Sequence, residues 1–397
     1  MNTSRLLIAG AGLYGLAAAL ELRRRGYAVT LIDPGPLPHP LAATTDISKV
    51  IRLDYGPDDD YLAAMEIALD RWRAWNLEWP VPLFHETGVL FITSTPLSPG
   101  GFEHESYQRL LRRGHTPQRL DPALIRQRFP AWHPDYSIDG YFNPEGGYAE
   151  SGRVASRLLD LALSAGVVLH TGHTAAALIE HGGRVTGLAT AEGQAFEADA
   201  VILAPGAWLP QFVTRAVPEL AGVFRSPGMP VFHLRPSDPA LFAAERFPPF
   251  CADIQHTGYY GFALHPAHGV VKIANHGPGR PLTPEDPARV VTPGETDHLR
   301  AFLGQRLPAL APAEIVYTRV CLYCDTWDGH FWIAPHPDRP GLVLATGGSG
   351  HGFKFAPVLG DWIADAVEAR PNPFLAKFRW RPDVRPPRTE EAARHQE

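Results

Sequence analysis

At ~150 residues per domain, a chain of 397 residues has room for two or three domains and a large core. It is 45% hydrophobic and 20% charged with a mean hydropathy of -0.13, which excludes a disordered chain and a membrane-embedded one. The balance of 36 Lys and Arg against 42 Asp and Glu gives -6, so no cationic excess serves phosphate backbones or anionic lipid, and neither nucleic acid nor a membrane surface is an expected partner.

Three cysteines, Cys251, Cys321 and Cys324, are too few for a disulfide framework. They point to a cytoplasmic protein, or to cysteine kept for chemistry.

The segment from Arg5 to Leu20 can be read as the apolar part of a secretory signal. The fuller reading is a buried strand from Leu6 to Ala9, a turn carrying Gly10, Gly12 and Gly15, an amphipathic helix through Arg25, and a second strand from Tyr27 to Ile32 ending at Asp33. Gly10 allows the tight turn, Gly12 lets backbone approach a pyrophosphate, and Gly15 lets helix pack on strand. Asp33 supplies a carboxylate for a ribose diol and disfavours a 2′-phosphorylated nucleotide. This is a dinucleotide fingerprint, and it does not separate FAD from NAD.

Two later strands run into glycine turns. One is Ala200 to Ala204 before Gly206, and the other is Leu342 to Thr346 before Gly347, Gly348, Ser349, Gly350, His351 and Gly352. Between them lie stretches richer in Pro, aromatics and alternating runs such as Tyr259 to Leu264 and Val270 to Ala274, which read as a second domain inserted twice. The expected division is a dinucleotide domain over 1–84, 146–222 and 319–385, a second domain over 85–145 and 223–318, and an irregular tail over 386–397.

The basic residues divide unevenly into thirty-two arginines and four lysines, Lys49, Lys272, Lys354 and Lys377. Lysine should survive such a bias where a compact, deprotonable ammonium cannot be replaced by a planar guanidinium. The plainer alternative for each is a solvated surface position.

The segment Cys321, Leu322, Tyr323, Cys324, Asp325, Thr326, Trp327, Asp328, Gly329, His330, Phe331, Trp332, Ile333 can be a redox pair, or a metal site with His330 and His336, although no second cysteine pair supports zinc. Its spacing C-x-Y-x-x-T-x-D-x-x-F-x-I resembles the covalent-flavin segment of the monomeric sarcosine oxidase family, within the D-amino-acid-oxidase-like flavoproteins. Other matches follow in family order. They are Ser48 to Arg52 with Tyr55, Tyr259 to Phe262 with Val270 to His276, and Gly350, His351, Gly352, Phe353, Lys354.

The resemblance implies an α/β fold, with a Rossmann-like FAD-binding domain and an α+β substrate domain on a mostly antiparallel sheet. It implies FAD held by Gly10, Gly12, Gly15, Asp33, Lys49, Gly350, Gly352, Phe353 and Lys354, and bonded through its 8α carbon to Cys321, with Cys324 a bystander. It assigns the substrate carboxylate to Arg52 and Lys354, oxygen activation to Lys272, and an aromatic wall to Tyr260. His276 is either a substrate contact or a structural residue. Lys49 stands where sarcosine-specific members carry a second arginine, as in the fructosyl amino acid, saccharopine and pipecolate oxidases. Asp46 and Lys49 then either contact a larger substrate or flavin, or pair with each other in a loop.

The implied reaction is oxidation of the C–N bond of a secondary, N-substituted or cyclic amino acid, with O₂ reduced to hydrogen peroxide and the imine product hydrolysed. No metal is expected, and the protein is expected to be a monomer. The alternatives are a fructosyl amino acid oxidase, a dehydrogenase using another acceptor, and a flavin-binding module without turnover.

Overall fold

The computed structural model describes residues 4–383 and Arg394. The chain forms two compact units, one of residues 4–46, Ser151–Pro227 and 322–383, the other of Ile47–Glu150 and Gly228–Cys321 with Arg394.

The first unit is built on a six-stranded sheet in the order Trp332–Pro335, Leu342–Thr346, Ala200–Leu203, Arg5–Ala9, Ala28–Asp33, Val168–Thr171. All neighbours are parallel except the first pair. The central strand Arg5–Ala9 is apolar and buried after its first residue, as a strand covered on both faces must be. Helix Leu13–Arg24 packs backbone to backbone on helix Ala356–Val367, where a side chain at Gly360 would stand 2.6 Å from the Ala17 carbonyl oxygen. Arg25 ties the same two helices together through Glu21, Asp365 and Glu368, at 2.6–2.8 Å.

The second unit centres on a nine-stranded sheet in which only Phe250–Ala252 and Val89–Thr93 pair in parallel among the registered neighbours. One face packs the aromatic core of Trp132, Phe232, Phe247, Phe250 and Phe302. Helix Pro293–Arg306 starts at a capping box of Thr292 and Glu295. A smaller antiparallel sheet joins Lys49–Arg52 and Phe84–His85 to Gly146–Ala149.

The observed division differs from the expected one mainly at residues 47–84 and 146–150, which cluster with the second unit, and by a few residues at 223–227 and 319–321. The reason is strand pairing: Lys49, Val50, Ile51 and Arg52 lie opposite Ala149, Tyr148, Gly147 and Gly146, a long-range contact that no local pattern shows. The expected tail lies outside the described residues, apart from Arg394, whose Nε donates to the Gly277 carbonyl at 2.9 Å. No helix among the described residues is long and apolar enough to cross a membrane.

Candidate functional site

In the first unit the glycine turn has the geometry its spacing predicts. Gly10 has φ of +105°, and a Cβ there would stand 2.5 Å from the Ala204 carbonyl oxygen. At Gly15 a Cβ would lie 1.8 Å from the carbonyl oxygen of Gly10, so turn and helix touch through bare backbone. At Gly12 it would meet nothing within 4 Å, and helix Leu13–Arg24 begins there without a side-chain cap. Its first turn thus starts without a side-chain acceptor at the cap, which fits a phosphate.

Asp33 has a further role that its motif does not state. Its carboxylate accepts from Ala11 N at 2.8 Å and Gly35 N at 2.7 Å, fixing the turn. A carboxylate with about four acceptor sites retains capacity for a ribose diol.

The turn after Leu342–Thr346 carries positive φ at Gly347, Ser349 and Gly350. A side chain at Gly350 would enter the Tyr323 ring, and one at Gly352 would lie 2.8 Å from the Tyr14 hydroxyl. Gly352 therefore makes room for Tyr14, a buried phenol whose hydroxyl has no hydrogen-bond partner among the described residues. The glycine spacing alone gave no sign of Tyr14. Phe353 and Lys354 are buried in the turn Gly352–Phe355, where Lys354 Nζ donates to the His351 carbonyl at 3.2 Å. Thr326, Asp328 and Arg381 form a second buried group that the sequence reading did not pick out as a unit. Arg381 donates twice to Asp328, at 2.6 and 2.7 Å, and Thr326 Oγ1 donates to Asp328 at 2.9 Å.

Cys324 lies in this unit with Sγ 3.3 Å from Thr346 Oγ1, and burial pushes its thiol up to about 11. Neither it nor Cys321 is in a disulfide. His336 is engaged by Glu219, and among the described residues no three His, Cys, Asp or Glu side chains form a group that could hold a metal.

In the second unit the named residues are buried cations and aromatics. Lys272, on strand Val270–Asn275, is 1% exposed. Its Nζ donates to the Ser48 carbonyl at 2.6 Å and lies 4.8 Å from the centre of the Phe262 ring, its cross-strand neighbour. Arg52 is buried with its guanidinium 5.1 Å from the Tyr55 ring centre and 5.4 Å from that of Phe102. Two residues on, Asp54 is wholly buried and accepts from the Tyr141 hydroxyl at 2.7 Å. Burial raises its carboxyl, while Tyr141 and the Arg52 charge pull the other way. Tyr260 is half-buried, edge-on to Phe262 and to His276. His276 N donates to the Gly258 carbonyl at 2.6 Å. Lys49 is half-buried on strand Lys49–Arg52. Cys321 is 2% exposed near the end of strand Glu314–Leu322.

A parallel sheet whose first strand opens into an uncapped helix through three glycines, with an acid closing the next strand, defines a dinucleotide-binding protein of the Rossmann type. The chain belongs to the FAD dependent oxidoreductase family (DAO), whose model matches residues 5–366, and it is an FAD-dependent oxidoreductase. It is 28% identical over 362 residues to monomeric sarcosine oxidase of Bacillus sp. (strain B-0618), covering 90% of each chain. It is 27% identical over 421 residues to L-saccharopine oxidase of Schizosaccharomyces pombe, covering 95% of this chain and 93% of the other. Among solved structures it is similar to fructosamine oxidase (Amadoriase II) from Aspergillus fumigatus, with TM-score 0.84 and 26% identity over 100% of this chain and 94% of that one. The mostly antiparallel second sheet and the flavin cofactor agree with the expectations drawn from the sequence.

Proposed function

We propose that the protein oxidises the C–N bond of a secondary amino acid, N-substituted or cyclic, and reduces O₂ to hydrogen peroxide. The observation that carries this reading is Lys272, a lysine 1% exposed on an interior strand and held by a main-chain carbonyl. A charge that costly to bury is retained where it stabilises another charge, and superoxide formed as electrons leave a reduced flavin is such a charge. The relatives named above are oxidases by name, which supports the same reading.

FAD, when bound, would supply the two-electron chemistry that links amine oxidation to dioxygen. The protein's own residues bind and orient. Arg52 and Lys354 take the substrate carboxylate, Arg52 with its planar fork steadied between Tyr55 and Phe102. Tyr260 walls the reacting carbon, and His276 stands edge-on to it as a substrate contact. The glycines Gly10, Gly12 and Gly15 with Asp33 hold the dinucleotide; Gly350, Gly352, Phe353 and Lys49 complete the cofactor set. Cys321 carries the flavin covalently. Cys324 is unsuited to that task, since a thiol raised to about 11 supplies almost no thiolate at neutral pH. The net charge of -6 speaks against nucleic-acid or anionic-membrane partners, the free cysteines support a cytoplasmic location, and the protein acts as a monomer in this reading.

Lys49, which stands where sarcosine-specific members of the family carry a second arginine, favours one variant of this reading, a substrate larger than sarcosine such as a fructosyl or opine-like amino acid. The test is an absorption spectrum before and after acid precipitation, followed by a peroxide-coupled screen. Yellow colour in the pellet and peroxide with an N-substituted or cyclic amino acid are the expected results. Flavin reduced by an amine without peroxide would make the protein a dehydrogenase. Flavin reduced by none would make it a binding module.

A further inference from the structure

Bonding a cysteine to flavin needs a thiolate, because the thiol itself is a poor nucleophile. Cys321 is 2% exposed, an environment that by itself disfavours the charged form. Something beside it must supply positive charge.

Arg289 does so. Its Nε donates to the carbonyl of Val320, the residue before Cys321, at 3.1 Å, and its Nη1 donates to the Pro284 carbonyl at 3.3 Å. The guanidinium is thus gripped by two main-chain oxygens and held at the strand that carries the cysteine. The turn in which Asp286 O accepts from Arg289 N at 2.9 Å fixes its root. Arginine stays protonated at any pH the protein meets. Burial pulls the Arg289 guanidinium below its ordinary value, and its electrostatic interaction with Cys321 opposes that shift. Arg319, two residues from Cys321 on the same strand and therefore on the same face, adds a second cation, and Glu285 places a negative charge near Arg289. At Cys324 burial and the like charge of Asp325 raise the thiol, against the hydrogen bonds of Thr346 and Gly347, which lower it.

We propose that Arg289 is the positioning residue that holds Cys321 ready as a thiolate for covalent attachment of the flavin, an inference that rests on the attachment reading above. In the step, the Cys321 sulfur bonds to the 8α carbon and one C–H bond of that carbon breaks. The thiol proton and the 8α proton, with two electrons, end on the flavin as its reduced form. Dioxygen then removes the two electrons and two protons as hydrogen peroxide, so that atoms and electrons balance. A group needed only once, during maturation, has no place in turnover, which separates Arg289 from Arg52, Lys272 and Lys354.

The experiment loads flavin-free protein with FAD in air and follows acid-precipitable flavin with time between pH 6 and 9. With a nearby cation shifting a thiol by one unit or more, Arg289→Gln should slow attachment about tenfold or more near pH 7. The deficit should close as pH rises and the thiolate forms unaided. Arg289→Lys, which keeps the charge, should recover most of the rate. Attachment by Arg289→Gln at the wild-type rate, or a deficit equal at every pH, overturns the proposal. If Arg289→Gln does not fold, the folded Arg289→Lys protein decides, and a pH-independent loss there overturns it equally. Wild-type flavin that is wholly acid-soluble, or Cys321→Ser protein that keeps its pellet colour, overturns the attachment reading itself and this inference with it.

Discussion

The two units prepare for their ligands by opposite means. In the first, the groups that fit a cofactor belong largely to the backbone: an uncapped helix start at Gly12, a contact of bare backbone at Gly15, and a carboxylate, Asp33, busy fixing the turn. In the second, they are side chains buried at some cost, Lys272 against a carbonyl and a phenyl face and Arg52 between two rings. A backbone site binds what every member of a fold class binds, because its shape follows from chain geometry. A side-chain site can be changed one residue at a time.

The sharpest way to break this comparison is at the glycines, where the largest effect is expected. Gly15→Ala forces a carbon into the 1.8 Å gap to the Gly10 carbonyl oxygen, so the turn must open. The purified protein should be colourless and melt well below wild type. Gly12→Ala meets no protein atom within 4 Å. It should fold with an unchanged melting temperature in the flavin-free state and lose only FAD affinity, measured by titration. Equal melting losses in both would mean that Gly12 serves the fold and not the ligand.

Next in size is Lys272→Met, the matching test in the second unit. Removing a preorganised charge from a developing one costs about a hundredfold or more, so reoxidation of reduced flavin by O₂ should slow by that factor in stopped flow. Reduction by substrate should change far less. If both rates survive, oxygen activation belongs elsewhere, and the second unit's buried cation is structural.

Asp328 asks whether the first unit also depends on buried side chains. Burial raises its carboxyl, and the Arg381 hydrogen bonds and charge more than reverse that, leaving it below its ordinary value. A group so depressed contributes stability above the unfolded carboxyl value and loses it as pH falls through the folded one. Asp328→Asn leaves Arg381 buried against a neutral amide and should cost about 3 kcal/mol at neutral pH in denaturant unfolding. A change under about 0.5 kcal/mol would place the pair among those that add nothing.

What was legible in the sequence follows the same division. The turn at Gly10 to Gly15 could be read because its residues are adjacent and each spacing has one geometric meaning. Lys272 and Lys354 stood out because lysine is rare here, a statistical trace and not a structural one. Tyr14 was not legible, since the glycine that accommodates it, Gly352, lies more than three hundred residues away. Nor was the placement of 47–84, which depends on Arg52 pairing with Gly146 across a long loop. Arg289 escaped for a related reason: among thirty-two arginines nothing marks the one whose Nε caps Val320.

The smallest expected effect concerns a group in the second unit that no motif predicted. His265, 4% exposed, lies with its ring 4.6 Å from that of His268 and within the field of Glu150 and His85, which are paired at 2.8 Å. Burial and the like charge of His268 lower its pKa to about 4, against a partial opposing pull from Glu150. The unfolded chain takes up its proton near 6.5 and the folded one only near 4, so this histidine's contribution to stability is intact above 6.5 and lost as pH falls toward 4. The difference is worth about 3 kcal/mol across that window. His265→Phe keeps a ring of similar size without the proton site, so unfolding free energy should fall less steeply between pH 6.5 and 4 than in wild type. An unchanged slope would mean that the acid sensitivity does not reside in His265, and that the second unit's buried side chains are costly only where they carry charge at neutral pH.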